Sequence, residues 1–166
     1  MIAPVAFVVI FASMLAESRV SARHERALRA RGAIEPRGDV YAVMQLAYPG
    51  TFLAMILEAV LRDVGSYSTA AIAGVVVFVA AKALKYWAIA TLGARWTFRI
   101  LVPPGSDRIA AGPYRWLRHP NYLAVAGELV GAALWLRAVI AGPLSLLVFG
   151  ALMLRRIHVE EQALAR

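Results

Sequence analysis

The sequence predicts an all-α, polytopic membrane protein of about five transmembrane helices, ending in a helical hairpin and a cytoplasmic tail helix. Three observations carry that prediction. The 166 residues are 61% hydrophobic with a mean hydropathy of +0.65, against roughly 45–50% apolar residues in an ordinary soluble domain. The apolar residues are gathered into long runs separated by polar segments. The arginines concentrate in alternate connecting segments, the pattern left where positive charge is retained in the cytoplasm.

The first run, Ala3 to Ala16, stops at Glu17 and Arg19. It lacks the basic start and small-residue cleavage site of a signal peptide, so it is expected to be a retained helix. Further spans are expected at Val40–Leu61, Thr69–Leu92, Pro120–Leu136 and Val139–Leu154. About 20 apolar residues cross a hydrocarbon core of roughly 30 Å, so the middle two are ample and the last two short. Arg137, Gly142 and Pro143 are expected to form the tight turn that pairs those two as a hairpin.

Orientation follows from charge. Arg19, Arg23, Arg26, Arg29, Arg31 and Arg37 fall in one segment; Arg95, Arg99, Arg108, Arg115 and Arg118 fall in another; Arg155, Arg156 and Arg166 fall in the tail. The opposite loops hold Arg62 and Arg137. The amino terminus is therefore expected outside and the carboxyl terminus inside. Lys82 and Lys85, near the inner end of the third run, are expected to snorkel to the interface.

Residues 1–166 read as one domain without repeats. No cysteine is present, which excludes thiolate metal sites and Cys nucleophiles, and no His/Asp/Glu group has metal-ligand spacing. The net charge of +8 is explained by topology, so nucleic acid is not an expected partner. Membrane lipids are, and self-association is left open.

Two polar constellations stand out. In Gly112-Pro113-Tyr114-Arg115-Trp116-Leu117-Arg118-His119-Pro120-Asn121-Tyr122, Pro120 suits the first turn of a helix. The N–H groups of Asn121 to Leu123, with Arg115 and Arg118, would then make an anion site. The plain alternative is a basic loop anchored by Tyr and Trp. In Arg155-Arg156-Ile157-His158-Val159-Glu160-Glu161, Arg156 and Glu160 share one helical face and can bridge each other. Glu58 and Glu128 are carboxylates inside predicted spans, functional candidates by default. For Glu58 the plain alternative is neutralisation by Arg62; for Glu128 it is a helix contact along Gly127 and Gly131. His24 and His158 are expected to be solvated.

Taken together, Gly-Pro-Tyr-x-x-x-Arg-His-Pro-x-Tyr, a helical hairpin and Arg-x-x-x-Glu-Glu over Gly112–Glu161 resemble the isoprenylcysteine carboxyl methyltransferase family of membrane enzymes. Leu92-Gly93-Ala94-Arg95-Trp96-Thr97 and the run Ser21–Ala33 are similar to a bacterial branch that includes methyltransferases of alkylpyrones and phenolic lipids. The resemblance implies S-adenosyl-L-methionine as cofactor, bound within residues 93–166 by Tyr114, Arg118, His119, Pro120 and Tyr122, with Glu161 beside them. It implies Arg156 and Glu160 as the catalytic pair, and a lipophilic acceptor entering from the bilayer, with Glu58 and Trp96 as candidate substrate contacts. Tyr48 stands where that branch is expected to carry a histidine, which leans toward a small lipid acceptor. Rival readings are an NADPH-dependent sterol-type reductase with a similar Arg-His-Pro-Asn-Tyr loop, a phospholipid N-methyltransferase, and a scaffold whose charges serve only topology.

Overall fold

The computed structural model describes residues 2–36, 38–64, 68–102 and 109–164; Arg37, Arg108 and Arg166 lie outside them. Among the described residues five α-helices make up the architecture: α1 (Ile2–Ala30), α2 (Tyr41–Leu61), α3 (Thr69–Leu92), α4 (Pro120–Trp135) and α5 (Ala141–Leu164). Short 3-10 turns occupy Gly93–Arg95 and Gly112–Arg115. Among the described residues there is no strand, only an isolated bridge joining Ile34 to Val102. Four helices, α1, α2, α3 and α5, are long and apolar enough to cross a membrane. α4 has 16 residues, about 24 Å at 1.5 Å per residue, and is short for a full crossing. Leu46, Leu57, Val76, Val79, Leu147 and Leu154 all face outward, as lipid-facing residues do.

Helix boundaries agree with the sequence where local chemistry sets them. Ser68 caps α3 by accepting a bond from Ala71 N–H at 3.2 Å, and Pro120 opens α4. They differ where hydropathy alone was available. α1 runs on to Ala30, one 29-residue helix instead of a span ending at Ala16. The tail is the continuation of α5, not a separate helix. Both extensions have the same cause: a helix does not end at the apolar boundary unless something breaks it, and no Gly or Pro lies between Glu17 and Ala30. The hairpin turn also sits earlier than expected. Arg137 takes the left-handed conformation at φ 52°, while Gly142 and Pro143 already belong to the first turn of α5.

α3 and α4 pack backbone to backbone. A Cβ on Gly74 would collide with the main chain of Trp135, and one on Gly131 with that of Phe78. Gly127 faces the Ala81 methyl at 2.9 Å from where its own Cβ would be. Small residues permit this approach, and it sets Lys82 and Lys85 of α3 beside Glu128 of α4.

Glu58 proves structural. Its carboxylate accepts the N–H groups of Val139 (2.9 Å), Ile140 (3.2 Å) and Ala141 (2.6 Å) and pairs with Arg62 at 3.1 Å. It is the cap of α5, satisfying donors that the helix start leaves open. That role replaces the expected substrate contact.

Candidate functional site

The carboxyl-terminal half of α5 lies against the start of α4. Tyr122 donates its hydroxyl to Glu160 at 2.8 Å. His119 Nε2 lies 3.1 Å from Glu161, and its Nδ1 faces Glu160 at 3.9 Å. The two sequence constellations therefore form one site. Pro120 is buried as the first residue of α4 and fixes the helix start from which Tyr122 projects. Of the expected anion-binding amides, that of Leu123 donates to the His119 carbonyl at 3.2 Å.

Between α3 and α4 the chain passes through the 3-10 turns and an irregular stretch, Trp96 to Val102, bent at Phe98 and Arg99, that floors the site. Trp96 is 2% exposed; its carbonyl accepts from His24 Nδ1 at 2.8 Å and its indole faces Asn121 Oδ1 at 3.4 Å. His24 is thus engaged, not solvated; His158, by contrast, is exposed as expected and lies 2.8 Å from Gln162. Phe98 N–H donates to Ser21 Oγ at 2.7 Å. Gly112 brings Tyr114 into the wall: its φ of +54° and the adjoining Thr91 side chain leave no room for a Cβ. Burial, reinforced by the Glu160 charge, pushes the Tyr114 phenol well above its ordinary range.

Arg156 and Glu160 do not bridge. Arg156 is 7% exposed and binds the Phe98 carbonyl, lies 3.6 Å from Asp39, and stacks over Tyr41 at 5.6 Å. Its Nε is buried without a hydrogen-bond partner. The basic clamp outside it joins Arg99 to Glu35 (2.7 Å) and Glu25 (3.1 Å). Burial raises the Glu35 carboxyl, but bonds from Arg29 and Arg99 outweigh it and hold the group below its usual range.

These elements enclose a cavity of about 510 Å³, within the ~300–1,000 Å³ of small-molecule sites. Tyr114, Arg118, His119, Tyr122, Arg156 and Glu160 supply polar lining, together with Trp96. Phe11, Met14, Leu15, Met44, Phe149 and Met153 supply apolar lining.

Sequence reasoning missed the other charged feature. Lys82 and Lys85 do not snorkel; they are 9% and 2% exposed. Lys82 pairs with Glu17 at 2.7 Å and Glu128 at 3.3 Å, and Lys85 with the same two at 2.7 and 3.2 Å. Tyr48, a cavity residue, donates to Glu128. The signal was present: intramembrane charges usually pair, and Lys82 and Lys85 of α3 have Glu128 of α4 and Glu17 of α1 as possible partners.

The sequence model of the isoprenylcysteine carboxyl methyltransferase family matches residues 72–166, which takes in most of α3, the loop with its motif, and the α4–α5 hairpin. The chain belongs to the isoprenylcysteine carboxyl methyltransferase family. Likeness extends beyond the matched part. YpbQ of Bacillus subtilis, described as uncharacterized, is 32% identical over 157 residues, 94% of this chain and 92% of its own. An uncharacterized protein of Haemophilus influenzae is 29% identical over 162 residues, 97% of this chain and 94% of its own. No solved structure matches significantly. In this family member the residues that carried the resemblance, Tyr114 to Tyr122 and Arg156 to Glu161, converge on the same cavity and its rim.

Proposed function

We propose that the chain is an S-adenosyl-L-methionine-dependent membrane O-methyltransferase acting on a lipophilic acceptor. The observation that supports it most is a single cavity that is polar where the family motifs meet and apolar where α1, α2 and α5 face each other. The residues present suit the cofactor. Glu160 offers a carboxylate to an ammonium. Arg118 offers donors to a carboxylate, and Tyr114, Tyr122 and His119 offer flat surfaces to an adenine. When bound, the cofactor supplies an electrophilic methyl group on a sulfonium. The protein's share is to hold acceptor oxygen and methyl carbon in line and to exclude water.

The acceptor class is an alkylpyrone, a phenolic lipid or an isoprenoid-type carboxylate, reaching the apolar lining from the bilayer while the cofactor enters from the cytosol. This reading sets the chain in a bacterial cell membrane with its amino terminus outside and its carboxyl terminus and cofactor site cytoplasmic. Within it, Arg156 stabilises the acceptor oxygen as the adjoining cavity wall, and Glu160 orients the cofactor.

Isothermal calorimetry in detergent tests it. S-adenosylhomocysteine should bind and NADPH should not. The reverse would establish the reductase reading, and no binding of either would leave a scaffold. With a long-chain alkylphenol as acceptor, Arg156→Ala and Glu160→Gln should each lose about 10- to 100-fold in turnover, as expected for hydrogen bonds to charged groups worth about 1.5–3 kcal/mol. Near-normal turnover in both would refute the assignment.

A further inference from the structure

Two polar side chains on the cavity wall have no role in holding the cofactor: Tyr48 on α2 and Lys85 on α3. Tyr48 sits among aromatic rings, 5.1 Å from Phe52 and 5.2 Å from Phe149. Its hydroxyl donates to Glu128 Oε2, and the Lys85 ammonium lies 5.4 Å from its ring centroid. Behind it stand Glu17 of α1, Lys82 of α3 and Glu128 of α4, with Tyr86 of α3 beside Lys82 at 6.0 Å. The cluster holds two ammonium and two carboxylate groups, so its formal charge is zero.

A helix staple alone would need no opening to a cavity. Here Tyr48 both lines the cavity and directs its hydroxyl at a buried carboxylate. A phenol or enol placed against Tyr48 could lose its proton to the Tyr48 oxygen while the Tyr48 proton moves to Glu128. The O–H electron pair stays on the acceptor oxygen, which becomes the anion, and Glu128 becomes a neutral acid. After the move there are still two positive and two negative charges, one of the latter relocated from Glu128 to the acceptor beside Lys85. No unpaired charge is created in the low-dielectric interior, which is the step that would otherwise be costly. When the cavity empties, the proton returns through Tyr48 to entering water.

We propose that Tyr48, Glu128 and Lys85 form an acceptor-ionising relay, and that the acceptor is an amphiphile bearing a weakly acidic hydroxyl. This rests on the methyltransferase reading and narrows it. A carboxylate, with a pKa near ~4, is ionised at neutral pH and needs no relay, whereas a phenol near ~10 costs about 4 kcal/mol to ionise there. Tyr48 contacts the acceptor; Glu128 and Lys85 act through it and beside it.

A long-chain alkylnitrophenol reports its own ionisation by colour. It is titrated with the full chain in detergent, without S-adenosylmethionine, against empty micelles. Bound to the wild type, the probe should ionise at lower pH than in micelles, and Tyr48→Phe should raise that midpoint by about one pH unit, a tenfold loss of anion stabilisation. Equal midpoints in the two proteins, or a probe that does not bind the wild type, overturn the proposal. If Tyr48→Phe does not fold, Glu128→Gln combined with Lys82→Met removes the proton's destination while keeping one cation against one anion. It must show the same rise, and an unchanged midpoint in that variant overturns the relay. Calorimetry with S-adenosylhomocysteine on the same preparations separates the claims. Probe ionisation without cofactor binding sinks the methyltransferase reading and supports the relay, and cofactor binding with a neutral probe does the opposite.

Discussion

Tyr122 has one hydroxyl and directs it at Glu160, so it fixes which way that carboxylate faces in the cavity. Tyr122→Phe keeps the ring beside His119, 5.7 Å between centroids, and removes only the donor. A neutral hydrogen bond is worth about 1 kcal/mol and one to a charged group about 1.5–3. The variant should therefore bind S-adenosylhomocysteine about 10-fold more weakly, with calorimetry as the measure and an unshifted thermal midpoint as the control for folding. Unchanged affinity would mean that Glu160 is held by something else. Residues of this end of the site were legible in the sequence because they lie in two short contiguous motifs, Tyr114 to Tyr122 and Arg156 to Glu161. Arg156 was legible as a site residue but not in its contacts. Its partners, Phe98 and Asp39, are 58 residues away or more, and spacing within one helix suggested Glu160 instead.

Helices were legible where the chain carries its own punctuation. Ser68 starts α3 and Pro120 starts α4 through local chemistry, whereas the far ends of α1 and α5 were not legible, because hydropathy locates a bilayer and not a helix terminus. Gly127 and Gly131 suggested a helix contact beside Glu128 without saying which helix would fill it; the structure makes the partner α3, and that seam is the contact on which the site depends. A side chain at Gly131 meets Phe78 backbone, which has no rotamer to change. Gly131→Leu should push α4 away from α3 and cost at least the ~1–3 kcal/mol of an overpacked core, read as a lower thermal midpoint in detergent. Gly150→Ala is the control, since a methyl there meets nothing within 4 Å. Equal behaviour of the two variants would mean the helices do not meet along this seam.

At the scale of the molecule, Glu17, Lys82, Lys85 and Glu128 join three helices whose members are up to 111 residues apart. That separation is why the cluster was illegible: each charge alone had an adequate local explanation, and only the fold makes them neutralise one another. The cluster is sensitive to imbalance more than to size. Removing one partner of a buried ion pair strands the other and costs about 3–5 kcal/mol, whereas removing both members can be close to neutral. Lys82→Met leaves Lys85 facing two carboxylates and should unfold the protein at markedly lower temperature. Adding Glu17→Gln restores the balance, since Lys85 and Glu128 remain 3.2 Å apart, and should recover more than half of the loss. Residues in direct contact are expected to be non-additive in this sense. If the double variant is as unstable as the sum of its two single changes, the four groups act as separate polar contacts, and charge balance is not what holds α1 to the rest of the bundle.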